Sequence, residues 1–418
     1  MIINNLAKTK NRVAVGLSGG VDSAVAAALL KKAGHDVVGV HLYCYDEGPW
    51  CTANEDRASA VRVAQHLNIP ILIWDLRKEY KAKVMGYFFD EYKAGRTPNP
   101  DVVCNREIKF GIFLKRALEE LRVDYVATGH YARLRREVSS SKLQVTNKKD
   151  IHGEPKTKVP PHSPLATRYS LLSGLDKTKD QSYFLYTLTQ KQLEHILFPI
   201  GDYRKEEVRK MAIDLKLPNA KRPDSQGICF IGPVPVSKFL REKIPAKVGP
   251  VVDTNGQTIG EHDGVWFYTE GQRHGFSIFK SLGLPMYVIK KDALTNTLIV
   301  GRGTESKVRE FEVEKLHWIS QLEDSERMQA SVRIRHLGEI MPARLSSLDS
   351  KPFAVPLPAG IAISDRVLVT LAEPTFGVAP GQSAVFYRSD EVLGGGTIGG
   401  VMINQKLKVG GRDDSRSR

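Results

Sequence analysis

Residues 16–23 read Gly-Leu-Ser-Gly-Gly-Val-Asp-Ser, between an apolar run at 13–17 and an alanine-rich run at 24–30. This order predicts a buried strand, a glycine turn and a helix. Gly19 and Gly20 can take backbone angles that are closed to other residues, so the turn can approach a ligand closely. The free N–H groups at the start of the helix favour phosphate, which makes the turn a candidate nucleotide loop.

The polar side chains of this loop refine the prediction. Ser18 and Ser23 add hydroxyl donors, whereas the carboxylate of Asp22 repels phosphate unless a divalent cation lies between them. We therefore predict that Asp22 contacts Mg²⁺. The Gly-Lys-Ser/Thr ending of the kinase and GTPase loop is absent at the required spacing. The alternative is an ordinary strand–turn–helix corner that is capped by serine.

The first 135 residues alternate between apolar strands and helices. Four strands separated by helices predict an α/β domain with a doubly wound parallel sheet. Ligands bind such sheets beyond the carboxyl ends of the strands, where the loop, Leu42 and residues 128–130 all fall. The predicted strands are 13–17, 37–42, 69–74 and 125–128, and the predicted helices are 21–33, 55–67, 80–93 and 109–121.

After residue 135, the composition and the pattern of predicted secondary structure change. A basic, Ser- and Pro-rich insertion at 135–168 precedes a strand at 169–172 and a helical stretch at 191–216. Short β runs follow, among them 265–268, and longer alternation after residue 306 predicts a β-barrel. Gly394–Gly399 matches GxGxxG, but with no βαβ unit around it we predict a β-turn. The predicted domains are a catalytic domain at 1–230, a small β-rich domain at 231–305, a C-terminal β-barrel at 306–407 and a disordered tail at 408–418.

Composition narrows the class of partner. The 418 residues include 61 Lys and Arg against 47 Asp and Glu, a formal net charge of +14. Such an excess favours a polyanion such as nucleic acid. No apolar stretch approaches the length of a membrane span, and the first residues lack a secretory signal. We expect a cytoplasmic protein without membrane contact, with the mitochondrial matrix as the alternative.

Two of the four cysteines lie in segments suited to chemistry. Cys104 ends the run Asn-Pro-Asp-Val-Val-Cys before a predicted helix, where a thiol is partly ionised. Asp101, one turn away, is a candidate catalytic acid or base, or a group that binds a substrate donor. Cys229 follows a glycine turn, close to Lys221 and Arg222. Each is a candidate nucleophile, and for each the alternative is a buried structural cysteine. Without a CxxC pair, a structural zinc is not expected.

Seven motifs, taken together in this order, resemble the tRNA-specific 2-thiouridylase family of the ATP pyrophosphatase superfamily. The resemblance runs from about residue 12 to 405. The motifs are SGGVDS (18–23), NPDVVCN (99–105), TGHY (128–131), KDQ (179–181), DSQGICF (224–230), YTEGQR (268–273) and PGQSAVF (380–386).

This resemblance implies a reaction and a role for each motif. ATP adenylates the C2 oxygen of the wobble uridine, position 34 of certain tRNAs, and a persulfide sulfur then replaces that oxygen. Cys229 would carry the persulfide, and Cys104 would be the nucleophile that frees the sulfur, leaving a Cys104–Cys229 disulfide. The implied products are 2-thiouridine, AMP and pyrophosphate. A persulfide sulfur donor protein is the second implied partner, and we expect a monomer.

The resemblance also assigns the contacts of each substrate. The residues implied for ATP are Gly16, Leu17, Ser18, Gly19, Gly20, Val21, Asp22, Ser23, Leu42 and Gly129, with Mg²⁺ at Asp22. Those implied around the target base are Asn99, Pro100 and Asp101. Those implied for tRNA are His130, Lys179, Asp180, Gln181, Arg333, Ile334 and Gln382.

Two departures and three alternatives stay open. The insertion at 135–168 is longer than the family needs, and Cys44 and Cys51 are expected to be inert. One alternative is a synthetase of the same superfamily that adenylates a small molecule. Another is a basic barrel protein that binds RNA without turnover. The third keeps the reaction but places an iron–sulfur cluster on Asp101, Cys104 and Cys229.

Overall fold

The computed structural model describes residues 10–49, 51–138, 167–224, 232, 234–279, 283–319, 327–349 and 365–402. Three predictions concern residues outside these ranges: most of the basic insertion, the position of Cys229, and the tail at 408–418.

A five-stranded parallel sheet forms the first domain, in the order β3-β2-β1-β4-β7. The predicted doubly wound sheet is confirmed, with one strand more than expected. That strand, β7, escaped prediction because it is only two residues long. The strands are β1 (Arg12–Gly16), β2 (Asp36–Tyr43), β3 (Ile71–Asp75), β4 (Tyr125–Ala127) and β7 (Ile196–Leu197).

Helices cover this sheet, and the first of them, α1, is buried along most of its length because it is rich in alanine and valine. The helical stretch that carries the Cys104 motif begins with α5 and passes through a π-helical segment. The helices are α1 (Val21–Lys32), α2 (Ala53–His66), α3 (Arg77–Tyr80), α4 (Gly86–Lys93), α5 (Pro100–Cys104), α6 (Leu114–Glu120), α7 (Gln190–Leu193) and α8 (Lys205–Asp214), with π-helical segments at Lys81–Met85 and Asn105–Phe113 and a 3₁₀ turn at Ser182–Leu185.

The helix predicted over 191–216 is wrong. The stretch contains α7, the strand β7 and α8, joined by a turn. Pro199 lacks a backbone donor, and Gly201 lies so close to the strand Ala132–Val138 that a Cβ there would be 1.7 Å from the carbonyl oxygen of Ala132. The position of this turn is therefore set by tertiary packing, which the spacing of apolar residues in the sequence does not reveal.

The second domain is a five-stranded sheet in the order β10-β9-β8-β12-β11. The strand predicted at 265–268 is a 3₁₀ turn, Val265–Phe267, because Gly264 turns the chain there with a φ of 138°. The elements are α9 (Val236–Lys243), β8 (Gly249–Val252), β9 (Thr258–His262), β10 (Ser277–Ile278), β11 (Met286–Asp292) and β12 (Thr297–Arg302), followed by a 3₁₀ turn at Gly303–Ser306.

Six antiparallel strands form the predicted C-terminal barrel, which closes where β13 pairs with β18. The GxGxxG stretch lies within β18, so the β-turn predicted there is wrong. A Cβ at Gly394 would lie 2.2 Å from the His317 carbonyl oxygen, and glycine thus permits the closure. The strands are β13 (Val308–Trp318), β14 (Arg327–Arg333), β15 (Met341–Ser347), β16 (Arg366–Thr375), β17 (Ser383–Arg388) and β18 (Glu391–Met402).

A hairpin links the first domain to the barrel. Its strands are β5 (Ala132–Val138) and β6 (Thr167–Ser173), and β6 pairs with β18 at Leu172 and Glu391. Arg133 also forms an ion pair of 2.6 Å with Asp390. The two domains thus share one sheet. Within the described ranges, no helix is both long and apolar enough to cross a membrane.

Candidate functional site

A cavity of about 510 Å³ opens at the carboxyl ends of β1, β2 and β4 and extends to the barrel. The structure therefore brings together the nucleotide loop, Leu42 and residues 128–130, which the sequence placed at one crevice. The barrel contributes His336 and Leu337 to the opposite wall. The site thus lies between two domains rather than within one.

Gly19 takes the backbone conformation that the sequence predicts for the loop, with a φ of 85°. A Cβ at this position would lie 2.3 Å from the carbonyl oxygen of Asp56, so only glycine fits. Gly20 differs from the prediction, because its φ of −78° is open to any residue. Gly129 meets a separate demand, since a Cβ there would lie 2.6 Å from the backbone nitrogen of Ser23.

Hydrogen bonds hold the loop in shape from inside and outside. Inside it, the hydroxyls of Ser18 and Ser23 lie 3.1 Å apart. Outside it, the carbonyl oxygen of Gly19 accepts hydrogen bonds from Ser59 (2.8 Å), Asn219 (2.9 Å) and Arg222 (3.1 Å). Residues 219–222 therefore support the loop directly, a connection between distant segments that the sequence did not indicate.

Asp22 is held by two side chains. Lys205 Nζ donates to both of its carboxylate oxygens, at 2.7 and 2.8 Å, and the hydroxyl of Tyr131 donates at 2.9 Å. Lys205 also lies 2.9 Å from Asp224, although its side chain is only 10% exposed. Burial would raise the pKa of Asp224, but hydrogen bonds from Lys205 and Lys179 outweigh it and lower that pKa.

The donor set at Asp22 fits one mode of Mg²⁺ binding. Among the described residues, no group of three or more His, Cys, Asp or Glu side chains could hold a metal ion alone. Magnesium is commonly held by one or two carboxylates together with substrate phosphates. Asp22 supplies such a carboxylate at the wall of the cavity, next to the loop.

A polar stripe from a single helical stretch also lines the cavity. Asp101, Asn105 and Lys109 are spaced four residues apart along one helical stretch, and all three line the cavity. Asn105 is 3% exposed, and its Oδ1 finds no hydrogen-bond partner among the described residues. Asn105 and Lys109 were not predicted as site residues, although their spacing from Asp101 indicates a shared helix face.

His130 is buried beside this stripe. Its Nδ1 lies 2.7 Å from Thr128 Oγ1, and its Nε2 lies 3.5 Å from Lys109 Nζ. Burial, aided by the charge of Lys109, lowers the pKa of His130 well below its usual value. His130 is therefore neutral at physiological pH.

The residues predicted around the base take two different roles. Asp101 lines the cavity, whereas the side chain of Asn99 is 7% exposed and accepts a hydrogen bond of 3.4 Å from the backbone of Val102. Asn99 thus caps α5, and Pro100 starts it.

Cys104 is a free thiol whose side chain is fully buried in the core of the first domain. Its helical neighbours Asp101 and Asn105 reach the cavity. Cys229 lies outside the described residues, so the predicted disulfide and the cluster that includes it stay predictions. Asp224 and Gly232, which lie on either side of the segment containing Cys229, both line the cavity.

The residues predicted to contact tRNA separate into two groups. His130, Lys179 and Gln181 line the cavity. Asp180 and Arg333 instead form a buried ion pair of 2.7 Å, and Ile334 is 3% exposed. A buried guanidinium whose charge is neutralised cannot pair with a phosphate at the surface. In this structure, therefore, Asp180, Arg333 and Ile334 do not form a tRNA-binding surface.

The barrel residues that do reach the cavity are His336 and Leu337, and neither was assigned to the site from the sequence. The ring of His336 packs on Phe184 with centroids 4.4 Å apart, and burial lowers its pKa. Arg335 beside it is exposed. His336 follows the predicted pair Arg333 and Ile334 by two positions. The alternation of side chains along a strand does not indicate which of these positions faces the cavity.

Three further residues that were singled out in the sequence have defined surroundings in the structure. Gln382 donates to the carbonyl oxygens of Thr97 (3.1 Å) and Pro98 (2.9 Å), so it supports the segment before Asn99. Cys44 is buried and lines the cavity. Cys51 Sγ accepts a hydrogen bond from the backbone of Ala53 at 3.5 Å.

Three family models match most of the chain, and residues 303–353 lie between the second and third of these matches. The model described as the tRNA methyl transferase HUP domain matches residues 11–233, and that described as the tRNA methyl transferase PRC-barrel domain matches residues 237–302. An aminomethyltransferase beta-barrel domain model matches residues 354–398. This order agrees with the parallel-sheet domain, the small β domain and the barrel.

Curated relatives carry a consistent name. The tRNA-specific 2-thiouridylase MnmA of Proteus mirabilis is 40% identical over 400 residues, covering 93% of this chain and 97% of the relative. The protein of that name from Lysinibacillus sphaericus is 39% identical, covering 95% and 96%.

Solved structures are more distant. A 4-thiouridine synthetase–RNA complex with bound ATP is 15% identical with a TM-score of 0.32, covering 54% of this chain and 46% of that one. The NMN synthetase of Francisella tularensis is 15% identical with a TM-score of 0.31, covering 57% and 78%.

Proposed function

The chain belongs to the tRNA-specific 2-thiouridylase family, and we propose that it exchanges the C2 oxygen of uridine 34 in tRNA for sulfur at the expense of ATP. One observation carries the proposal: a single cavity joins the nucleotide loop to the polar stripe that flanks Cys104. An enzyme that adenylates a base and then thiolates it needs both ends in one site.

ATP is assigned to the loop end. The N–H groups of residues 18–23 favour its phosphates. Gly129 has no side chain, so the segment 128–130 can lie against the first turn of α1. Leu42, near the carboxyl end of β2, provides an apolar wall. Asp22 would hold Mg²⁺ together with the phosphates, and the ion would supply positive charge for the departing pyrophosphate.

Lys205 and Lys179 are the cations that we assign to the same phosphates. In the structure they neutralise Asp22 and Asp224 at the cavity wall. Lys205 lies between the two carboxylates, so it is held in place before ATP arrives. Preorganised charge of this kind stabilises a developing anion without reorganisation during the reaction.

Uracil is assigned to the stripe end. The unpartnered Oδ1 of Asn105 would accept the N3–H of uracil, and the packed rings of His336 and Phe184 offer an aromatic surface to a base taken out of its stack. Asp101 and neutral His130 complete the polar surroundings. The net charge of +14 favours the tRNA backbone.

The sulfur step is proposed on the family resemblance. The terminal sulfur of a Cys229 persulfide attacks C2 and displaces AMP, which leaves the base joined to Cys229 through a disulfide bond. The Cys104 thiolate then attacks the Cys229 sulfur, so that bond breaks and 2-thiouridine departs. A Cys104–Cys229 disulfide remains, and a thiol reductant restores both thiols. Because Cys104 is buried, this step requires that it be uncovered.

The proposal extends to partners and alternatives. A persulfide donor protein would reload Cys229, and we propose a monomer in the cytoplasm, with the mitochondrial matrix as the alternative. An iron–sulfur cluster on Asp101, Cys104 and Cys229 is the competing sulfur route.

The test is to incubate the protein with tRNA bearing uridine 34, ATP, Mg²⁺ and a persulfide source. We expect pyrophosphate release that depends on tRNA, and the mass change of an O-to-S exchange at position 34. Full product from both Cys104→Ser and Cys229→Ser would contradict thiol chemistry. Pyrophosphate release without tRNA would favour a small-molecule synthetase, and no release at all would favour RNA binding without turnover. Iron that is required after anaerobic purification would favour the cluster.

A further inference from the structure

Thr97 lies seven residues before Cys104, and its N–H, carbonyl oxygen and hydroxyl all contact residues of the other two domains. Its N–H donates to the Pro380 carbonyl oxygen at 2.9 Å, and its own carbonyl oxygen accepts from Gln382 at 3.1 Å. Its hydroxyl lies 3.2 Å from that of Thr269 and 3.4 Å from Lys291 Nζ. Thr97 itself is 7% exposed.

The second domain (residues 236–306), here called the central domain, contacts Thr97 through a buried ion pair. The side chain of Lys291 is fully buried, donates to the Tyr268 carbonyl oxygen at 2.8 Å and lies 3.8 Å from Glu270. Tyr268, Thr269 and Glu270 open the YTEGQR motif, for which the reaction gives no role. A charged lysine held out of water needs such partners to remain there.

The barrel reaches Thr97 through the PGQSAVF motif. Gly381 has a φ of 91°, and a Cβ there would lie 2.9 Å from the carbonyl oxygen of Thr97. The barrel turn therefore lies directly on the backbone of residue 97. Gln382 extends the contact by donating to Pro98 at 2.9 Å.

The connection from Thr97 to Cys104 is short and stiff. Pro98 and Pro100 fix two backbone angles between them. The side chain of Asn99 caps α5, which carries Asp101 and ends at Cys104. A displacement at residue 97 is therefore passed to the helix instead of being absorbed by a flexible loop.

We propose that Thr97 is a positioning residue through which the central domain and the barrel together hold α5, and with it Cys104. This inference rests on the proposed function for its consequence, because a shifted Cys104 would impair sulfur transfer while leaving the nucleotide loop intact. The YTEGQR and PGQSAVF motifs then share one task, which is to fix the segment before the nucleophile from two sides.

The primary test measures how fast iodoacetamide alkylates Cys104 in the full chain, by mass spectrometry without substrate. Thr97→Val removes the hydroxyl and keeps the size, so we expect Cys104 to be alkylated about tenfold faster. Thr97→Ser keeps the hydroxyl and should match the unmodified protein. Thr295→Val is the control, since it removes a similar threonine–threonine hydrogen bond, of 2.9 Å, at an exposed site. Cys51, which is partly exposed, is the internal reference.

A second pair of variants tests the same connection from the central domain. Lys291→Met should also accelerate the alkylation of Cys104, whereas Lys290→Met, its exposed neighbour on β11, should not. Equal rates in Thr97→Val, Lys291→Met and their controls would overturn the proposal. So would faster alkylation of Cys51 to the same degree, because that reports general loosening.

Activity separates this inference from the proposed function. In Thr97→Val, the KM for ATP should stay unchanged while the rate of tRNA thiolation falls. If the unmodified protein does not thiolate tRNA but Cys104 still responds as expected, the proposed function fails and the positioning role stands. If thiolation is present and Cys104 does not respond, only the positioning role fails.

Discussion

At the scale of single residues, the position of Gly19 tolerates no side chain. Gly19→Ala would combine a left-handed backbone angle with a Cβ 2.3 Å from the Asp56 carbonyl oxygen. We expect ATP affinity to be lost, and stability to fall by at least about 1–2 kcal/mol. Calorimetric titration with a nonhydrolysable ATP analogue measures the first effect. Gly34→Ala is the control, since it has the same strain (φ of 90°) but open space around it, and should keep ATP affinity.

Lys205 tests the electrostatic part of the proposal. Lys205→Met removes a cation from the phosphate site and leaves Asp22 without its ion-pair partner, whereas Asp224 keeps Lys179 and Arg209. Phosphate would then meet one uncompensated carboxylate. We expect kcat/KM for ATP in pyrophosphate release to fall about a hundredfold. Lys210→Met, on the exposed face of the same helix, should leave it unchanged. A normal value for Lys205→Met would remove Lys205 from the phosphate site.

Buried His130 predicts a pH dependence of stability. Its folded-state pKa lies well below its value in the unfolded chain, so below about pH 6.5 only the unfolded chain binds the proton. The free energy of unfolding should therefore fall as the pH drops below this value, by up to about 1.4 kcal/mol per pH unit from this group. Urea titrations of His130→Gln should show a shallower fall, whereas exposed His274→Gln should match the unmodified protein.

At the scale of elements, β18 shows why glycines accumulate in a strand. Gly394→Ala would place a methyl group 2.2 Å from the His317 carbonyl oxygen, where β13 closes the barrel. We expect a loss of about 1–3 kcal/mol of stability in urea unfolding. Gly400→Ala, in the same strand, meets its nearest atom at 3.8 Å and should be nearly neutral. Equal losses would mean that close packing at Gly394 is not the reason for glycine.

The same elements show what local sequence can and cannot predict. Strands β1 and β2 were predictable because their apolar runs are buried on both faces. The helix predicted over 191–216 failed because Pro199 lacks a backbone donor and because Gly201 packs directly against β5. The GxGxxG stretch was placed in a turn because glycine is ambiguous until its neighbours across the sheet are known.

At the scale of the whole molecule, the cavity could be anticipated only in part. The loop, Leu42 and Gly129 were predictable because parallel strands end at one edge. The barrel side was not, because the sequence cannot say which of Arg333 and His336 faces a cavity made with another domain. The segment around Thr97 shows the same limit, since its partners lie in two other domains.

The central claim is that Cys104 and Cys229 act together on a base activated by ATP. The most direct measurement is one turnover of enzyme carrying a persulfide on Cys229, quenched and analysed for protein disulfides and for 2-thiouridine. We predict a Cys104–Cys229 disulfide in equal amount to 2-thiouridine, formed only when ATP and tRNA are both present. Thiolated tRNA without that disulfide, or made equally fast by Cys104→Ser, would contradict the account.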